Sequence, residues 1–207
     1  MPNWCNTTWA FDGTESEIRT LHDILDEARS TNIVKTDFGK EWLGNIAYLV
    51  GINNEIDKSF ECRGTLDSVG GVSIDTDGNN HAWFSIETTT AWTYDENLWS
   101  AVIKKLNLSS VIVSFFAYEP SDDICVIHDP GRFNRFTTKS YLISCNITEN
   151  RTTPIIKETS CTESELIELL QRILNTDADD INELIDTVYN TDFTGDNFIS
   201  IHEIERI

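Results

Sequence analysis

Between Trp4 and Phe11 the side chains alternate. Cys5, Thr7, Trp9 and Phe11 fall on one side, and Trp4, Asn6, Thr8 and Ala10 on the other. This is the period-two pattern of a strand. Asp12-Gly13 reads as the turn that ends it. Thr14 and Glu17 then have capping-box spacing, and the period changes to helical. Ile18, Leu21, Leu25 and Ala28 form a stripe, with Ile24 beside it, that fades near Ser30. Residues 31–70 are less regular. Trp42, Leu43, Ile46, Leu49 and Val50 suit a short helix ending at Gly51, although Ile46 to Ile52 also suits a strand. Gly70-Gly71 opens a hairpin of Val72–Asp75 and Ala82–Thr88, joined through Asp77-Gly78-Asn79-Asn80, whose Asp-Gly pair supplies the positive φ of a tight turn. Asp95 caps a second helix carrying Leu98, Val102 and Leu106 on one face, with Trp99 and Ile103 beside them. Ser110–Tyr118, Ile124–His128 and Tyr141–Ile147 read as strands.

The order of these elements predicts an α+β fold of the ferredoxin-like, split βαβ kind. An antiparallel sheet with two packed helices would occupy residues 1–147, with an insert at about 31–70. Residues 148–161 are polar, contain Pro154 and read as a linker. Residues 162–207 read as a small helical segment. There Thr162 and Glu165 make another capping box, and Leu166, Leu169, Leu170, Ile173 and Leu174 form an apolar stripe.

That segment carries the most legible chemistry of the chain. From Asp192 to Glu203, oxygen-bearing side chains stand at loop positions one, three, five and nine (Asp192, Thr194, Asp196, Ser200). Phe198 would lend its carbonyl at position seven, and Glu203 closes position twelve. Calcium takes six to eight oxygens, and this spacing is that of an EF-hand loop. Ile181, Leu184, Ile185 and Val188 give the preceding helix its apolar stripe, while Ile201–Ile207 would form a short exit helix. Asn197 replaces the usual Gly at position six and would take the left-handed turn that Asn tolerates. Asp177, Asp179 and Asp180 read as capping and first-turn acids. The expectation is a weak or structural Ca²⁺ site, against the alternative of an acidic turn that binds nothing.

Charge changes the picture further. The 207 residues hold 15 Lys and Arg against 35 Asp and Glu, a net charge of −20. Residues 1–146 have 21 acids and 11 bases, and residues 147–207 have 14 and 4, so each part carries −10 on very different lengths. Such a surface repels nucleic acid and anionic membranes and attracts basic partners. No apolar run approaches a membrane span. The N-terminus shows neither a basic region nor an apolar signal segment, and the five Cys include no CxxC pair. The reading is a cytoplasmic protein with reduced thiols, whose sequons at Asn6, Asn107, Asn146 and Asn150 go unused.

The opening Met1-Pro2-Asn3-Trp4-Cys5-Asn6 resembles the start of YubB-type ferredoxin-like domain proteins of phages and conjugative plasmids. Arg63-Gly64-Thr65-Leu66-Asp67 resembles that family's Trp-Gly-Thr-Lys-Trp segment, with Arg and Leu in place of Trp and Lys. Thr90-Ala91-Trp92 is similar to its Thr-x-Trp, and Tyr118-Glu119-Pro120 to its Tyr-x-Glu-Pro. The resemblance covers roughly residues 1–130, leaves the C-terminal tail outside, and implies the fold and a mobile-element origin in a bacterial cell. It implies no catalytic residues.

No HExxH, Gly-x-Ser-x-Gly or P-loop occurs. Cys125 and His128, with Asp129, are the nearest approach to a catalytic cluster, yet three residues apart on a strand they face opposite sides. Asp122, Asp123 and Asp129 read as a solvated turn. Trp9, Phe11, Phe115, Phe116 and Tyr118 suggest base stacking, but the strand Ser110–Tyr118 has no Lys or Arg, core packing against the two helices accounts for about half of these rings, and the acidity argues against the rest. The chain is therefore expected to be a non-enzymatic, acidic mobile-element protein. It would bind and inhibit a basic host nucleic-acid-binding defence protein of the CRISPR-effector or restriction-nuclease kind, without binding nucleic acid itself. The alternative is a calcium-binding regulatory or structural interaction module.

Overall fold

A computed structural model describes residues 3–30, 39–52, 62–75, 80–119, 121, 124–131, 134–136, 139–149 and 153–207, without the side chains of 149 and 153–158. The hairpin turn at 77–79, Asp122, Asp123 and the Asn150 sequon lie outside the described residues. The chain is mixed α+β and forms two compact units, Met1–Phe136 with Ile207, and Thr137–Arg206. Among the described residues no helix is long and apolar enough to cross a membrane.

The first unit contains β1 (Trp4–Thr14), α1 (Glu15–Ser30), α2 (Gly44–Val50), β2 (Gly64–Val69), β3 (Ser73–Ile74), β4 (His81–Ala91), α3 (Glu96–Leu106), β5 (Ile112–Glu119) and β6 (Ile124–His128). Its strands run in the order β6-β5-β1-β4-β2, with β3 also on β4, and every pairing is antiparallel. The alternation in β1 assigns the faces. Trp9 and Phe11 turn toward the helices, where Trp9 meets Trp99 and Phe115, and Phe11 stacks on Phe84. Ile18, Leu21, Leu25 and Ala28 of α1 join the same core.

Three local expectations change. Asp12-Gly13 does not turn the chain, because β1 continues through Asp12↔Trp83 and Gly13↔Ala82 to Thr14↔His81. Glu17 does not close a capping box. Its carboxylate instead accepts from the Ser110 amide at 2.8 Å and hydroxyl at 2.7 Å, tying the start of α1 to the chain before β5. On the edge of β4 away from β1 the longer partner is β2, inside the expected insert, which pairs from Gly64↔Thr90 to Val69↔Ile86, while the expected Val72–Asp75 strand reduces to the two residues of β3. Gly64 permits β2 to lie there, since a Cβ would stand 2.3 Å from the Thr89 carbonyl oxygen. Elsewhere the expected signals act as read. Gly51 ends α2 in the left-handed conformation (φ 78°), and the Asp95 carboxylate accepts the Leu98 amide at the start of α3.

The second unit contains β7 (Tyr141–Glu149), β8 (Thr153–Cys161), α4 (Glu163–Leu174), α5 (Ile181–Tyr189) and β9 (Phe198–Glu203). Its sheet runs β8-β7-β9, antiparallel throughout. β7 belongs here rather than in the N-terminal fold, and the polar stretch expected to be a linker is largely β8. A strand at a sheet edge tolerates polar residues and a proline near its start. Leu166, Leu170 and Leu184 pack with Ile143 and Ile201 in a separate aliphatic core. The capping box of Thr162 and Glu165 forms, and Asp180 caps α5 by accepting from the Asn182 and Glu183 amides.

The chain after the loop at 192–197 is a strand, not the expected exit helix. Ile199 and Ile201 alternate with polar neighbours, and β9 pairs with β7 from Asn146↔Phe198 to Tyr141↔Glu203. The unit is thus a small three-stranded sheet with two helices, not a helical segment.

Candidate functional site: an acidic loop and an open sheet face

The calcium-loop residues divide between the turn and the strand. Asp192, Thr194 and Asp196 are exposed in the loop. Its left-handed residue is Gly195 (φ 71°), two positions before the Asn197 expected to take that role. Asn197 instead accepts the Thr148 amide through its side-chain oxygen at 3.0 Å, and Asn146 donates to the Asp196 carbonyl at 3.2 Å. Both bonds pin the loop to the end of β7. Phe198, Ser200 and Glu203 lie on β9. Residues three apart on a strand point to opposite faces, so Ser200 and Glu203 diverge, and Ser200 pairs with the His202 ring at 2.8 Å. Among the described residues no three His, Cys, Asp or Glu side chains come together as a metal-holding group.

The aromatic strands resolve by face. Trp9, Phe11 and Phe115 are core residues, whereas Phe116 and Tyr118 are half-buried on the side away from the helices. Cys125 and His128 are on opposite faces, Cys125 opposite Tyr118 and His128 opposite Phe115. Burial raises the thiols of Cys5 and Cys62, the latter to about 12 with the Asp95 carboxylate adding to it. Both thiols are therefore protonated and unreactive at neutral pH.

The sheet face away from the helices holds what sequence reading did not bring together. At one end Asp12, only 1% exposed, lies under Arg135. The guanidinium donates to Asp12 through Nε, at 2.9 and 3.1 Å to the two carboxylate oxygens, and through Nη2, and it stacks on the Trp83 ring at 4.2 Å. His81 joins from the strand end, 3.5 Å from Asp12 and 2.7 Å from Asp75. The Asp129 carboxylate accepts from the Ser114 hydroxyl at 3.1 Å, so the chain after β6 crosses this part of the face. Asp12 and Arg135 are 123 positions apart. The one available signal was a carboxylate in a strand with no other charged residue.

At the other end the segments that carried the resemblance meet. Trp4↔Ala91, Cys5↔Thr90, Asn6↔Thr89, Asn6↔Tyr118 and Gly64↔Thr90 are neighbours in the ladder. The Thr89 hydroxyl lies 3.1 Å from Asn6 Oδ1 and 2.7 Å from Asp67 Oδ2, and Thr65 donates to Asp67 Oδ1 at 2.6 Å. A row of fixed polar groups thus crosses β1, β4 and β2. Trp4 stands beside it, 42% exposed. Trp92 closes the corner with φ 69°, a strained conformation for a bulky residue, held by its amide to the Asn3 carbonyl and by the Thr93 amide to the Ala91 carbonyl. Arg63 stacks on its ring at 5.2 Å.

The chain matches no protein-family model, no curated protein and no solved structure.

Proposed function

We propose that this chain is a non-enzymatic binding protein of a phage or related mobile element. Its carboxylates occupy the basic groove of a host nucleic-acid-binding defence protein, of the CRISPR-effector or restriction-nuclease kind, inside the bacterial cell. The observation that carries this reading is in the second unit. Between Ile173 and Glu205 the sequence has nine Asp and Glu and no Lys or Arg, and all nine side chains are exposed. Asp180, Glu183 and Asp186 recur at helical spacing along the outer side of α5, with Asp177 and Asp179 just before them. A groove that binds phosphates by charge accepts such a face and is steered toward it. The ferredoxin-like reading of the first unit belongs to the same proposal. Its support is the antiparallel order β5-β1-β4-β2 with α1 and α3 in the connections, together with the YubB-type segments gathered at one sheet end.

The test is competition. In a panel of purified CRISPR effectors and restriction nucleases, the chain is expected to displace DNA from at least one. Neutralising Asp179, Asp180, Glu183 and Asp186 to Asn or Gln should weaken that effect tenfold or more. Displacement from none of the panel, or retardation of DNA by the chain alone, overturns the reading.

Calcium at the 192–197 loop is the second reading. It is favoured by Asp192, Thr194 and Asp196, which are exposed on one short turn with Gly195 between the last two. Calorimetry on the whole chain, with and without Asp192→Ala, decides it. Absence of heat at millimolar Ca²⁺ ends it.

A further inference from the structure

Two of the molecule's edge strands are guarded against pairing with another chain, and a third is not. An edge strand offers amides and carbonyls to any extended segment, and proteins blunt it with proline, lysine or a bulge. β8 carries Pro154 and Lys157. β2 breaks its register between Leu66 and Ser68. β9, Phe-Ile-Ser-Ile-His-Glu, has none of these devices. Among the described residues β7 is its only partner strand.

The ladder with β7 decides which backbone groups β9 turns outward. In an antiparallel pair, alternate opposed residues exchange both bonds, and the residues between them point away. The Ser140 carbonyl accepts the Ile204 amide at 2.7 Å, and the Thr148 amide donates to the Asn197 side chain at 3.0 Å. The even positions of β7 therefore face β9. Opposite them in register stand Phe198, Ser200 and His202, which complete the ladder. Ile199, Ile201 and Glu203 direct their amides and carbonyls to the open side. The Tyr189 hydroxyl agrees with this, since it donates to the Ile201 carbonyl at 3.1 Å. It stands where the amide of an incoming strand would donate. The Tyr189 residue is 65% exposed, so turning its ring aside brings little new apolar surface into water.

We propose that β9 binds an extended, basic segment of a partner protein as an added antiparallel strand, with the Tyr189 hydroxyl yielding the Ile201 carbonyl to it. In this mode main-chain bonds supply the affinity and side chains the selectivity. Charge chooses the occupant. Asp192 and Asp196 stand exposed just before the strand, and Glu203 and Glu205 at and beyond its end. From Ile173 to Glu205 no Lys or Arg intervenes. A second copy of β9 would set these acids against themselves. Like charges opposed across a strand pair destabilise it, whereas a Lys or Arg opposite Glu203 stabilises it. The proposal deepens the function proposed above, since it names the edge along which the basic partner docks.

The experiment uses the full chain and an acetylated, amidated peptide of alternating Lys and Val. Its counterpart is N-methylated on one central Lys and on the neighbouring Val, so that neither edge of the peptide completes a ladder while the charge is unchanged. Binding is followed by backbone amide shifts and hydrogen exchange at low ionic strength. The plain peptide should bind about tenfold tighter than the methylated one. It should shift the amides of β9 and slow exchange at Ile199, Ile201 and Glu203. Glu203→Pro removes an outward amide and should weaken binding about tenfold, while Glu203→Gln removes charge alone and should weaken it about twofold. The Glu203 amide points away from β7, so proline there leaves that ladder intact, and unchanged amide spectra away from position 203 verify the fold. Tyr189→Phe releases the Ile201 carbonyl and should tighten binding about twofold.

Equal affinity for the two peptides, Glu203→Pro acting no more strongly than Glu203→Gln, weaker binding by Tyr189→Phe, or shifts confined to α5 overturns the proposal. So does a dimer of the chain that Glu203→Pro dissolves, which would give the edge to a second copy. If the peptide adds to β9 while no defence nuclease releases its DNA, the edge site stands and the host-defence function falls. If DNA is displaced, and Glu203→Pro displaces it as well as the parent chain does, the host-defence function stands and the edge site falls.

Discussion

The two units reach stability and surface charge by different routes. The first is built on large rings. Trp9, Trp99, Phe11, Phe84 and Phe115 are almost fully buried, and its buried carboxylate Asp12 is neutralised within the unit by Arg135. The second is built on aliphatic side chains from two short helices and a three-stranded sheet, and it leaves most of its carboxylates in water. All six Trp lie in the first unit. A broad sheet provides area on which rings can interdigitate, and it creates a second face that must be covered or used. A three-stranded sheet with two helices encloses less apolar surface, so aliphatic residues suffice and more of the chain remains for charge.

That contrast can be broken most forcefully at Trp9. Trp9→Ala removes ring contacts to Trp99 and Phe115 and the 2.9 Å bond from its indole nitrogen to Thr88. It should cost about 4 kcal/mol. Tryptophan fluorescence reports the first unit alone, whereas far-ultraviolet circular dichroism reports both. Leu170→Ala in the second core should therefore shift the dichroism transition more than the fluorescence transition in denaturant. Equal shifts of both signals in both variants would show the units unfolding as one.

A smaller effect is expected at Asp12. Asp12→Ala leaves Arg135 over Trp83 without its acceptor, and removing one partner of a buried pair costs about 3 kcal/mol. Denaturation of this variant beside Arg135→Ala and the double variant measures the coupling. Additive losses would mean that the pair contributes nothing beyond its separate side chains.

The smallest effect is electrostatic and belongs to the exposed second unit. Glu165 is held down to about 2, first by Lys139 and then by the Thr162 amide of its capping box. A carboxyl lowered in the folded state adds stability above its ordinary value of 4.5, and that contribution is lost as pH falls toward about 2. Lys139→Ala should raise the Glu165 midpoint part of the way back, as read by side-chain carboxyl resonances. An unmoved midpoint would assign the effect to the cap alone.

Local signals proved legible wherever their cause was local. The stripe of α1, the Asp95 cap, Gly51 and the Thr162–Glu165 capping box depend on residues within one or two turns of chain, so their spacing carries them. Where a distant partner intervened, reading failed. Glu17 had the spacing of a cap but binds Ser110, 93 positions away. Residues 153–161 looked like a linker because edge strands tolerate polar side chains. Asp192–Glu203 had the spacing of a calcium loop leading into an exit helix at Ile201–Ile207, yet β7 had an edge to pair, and ladder hydrogen bonds drew Phe198–Glu203 into a strand instead of that helix.

By itself, then, the order of residues determined the alternation of β1, the helical stripes, the caps and the acid-only stretch from Ile173 to Glu205, since each is set by side-chain type and short-range geometry. Tertiary structure alone decided which strands are neighbours. With that came the union of Asn6, Thr89 and Asp67, the arginine seated on Trp83 and Asp12, and the divergence of Ser200 and Glu203. Pairing between distant strands is a property of the whole sheet, and no interval along the chain encodes it.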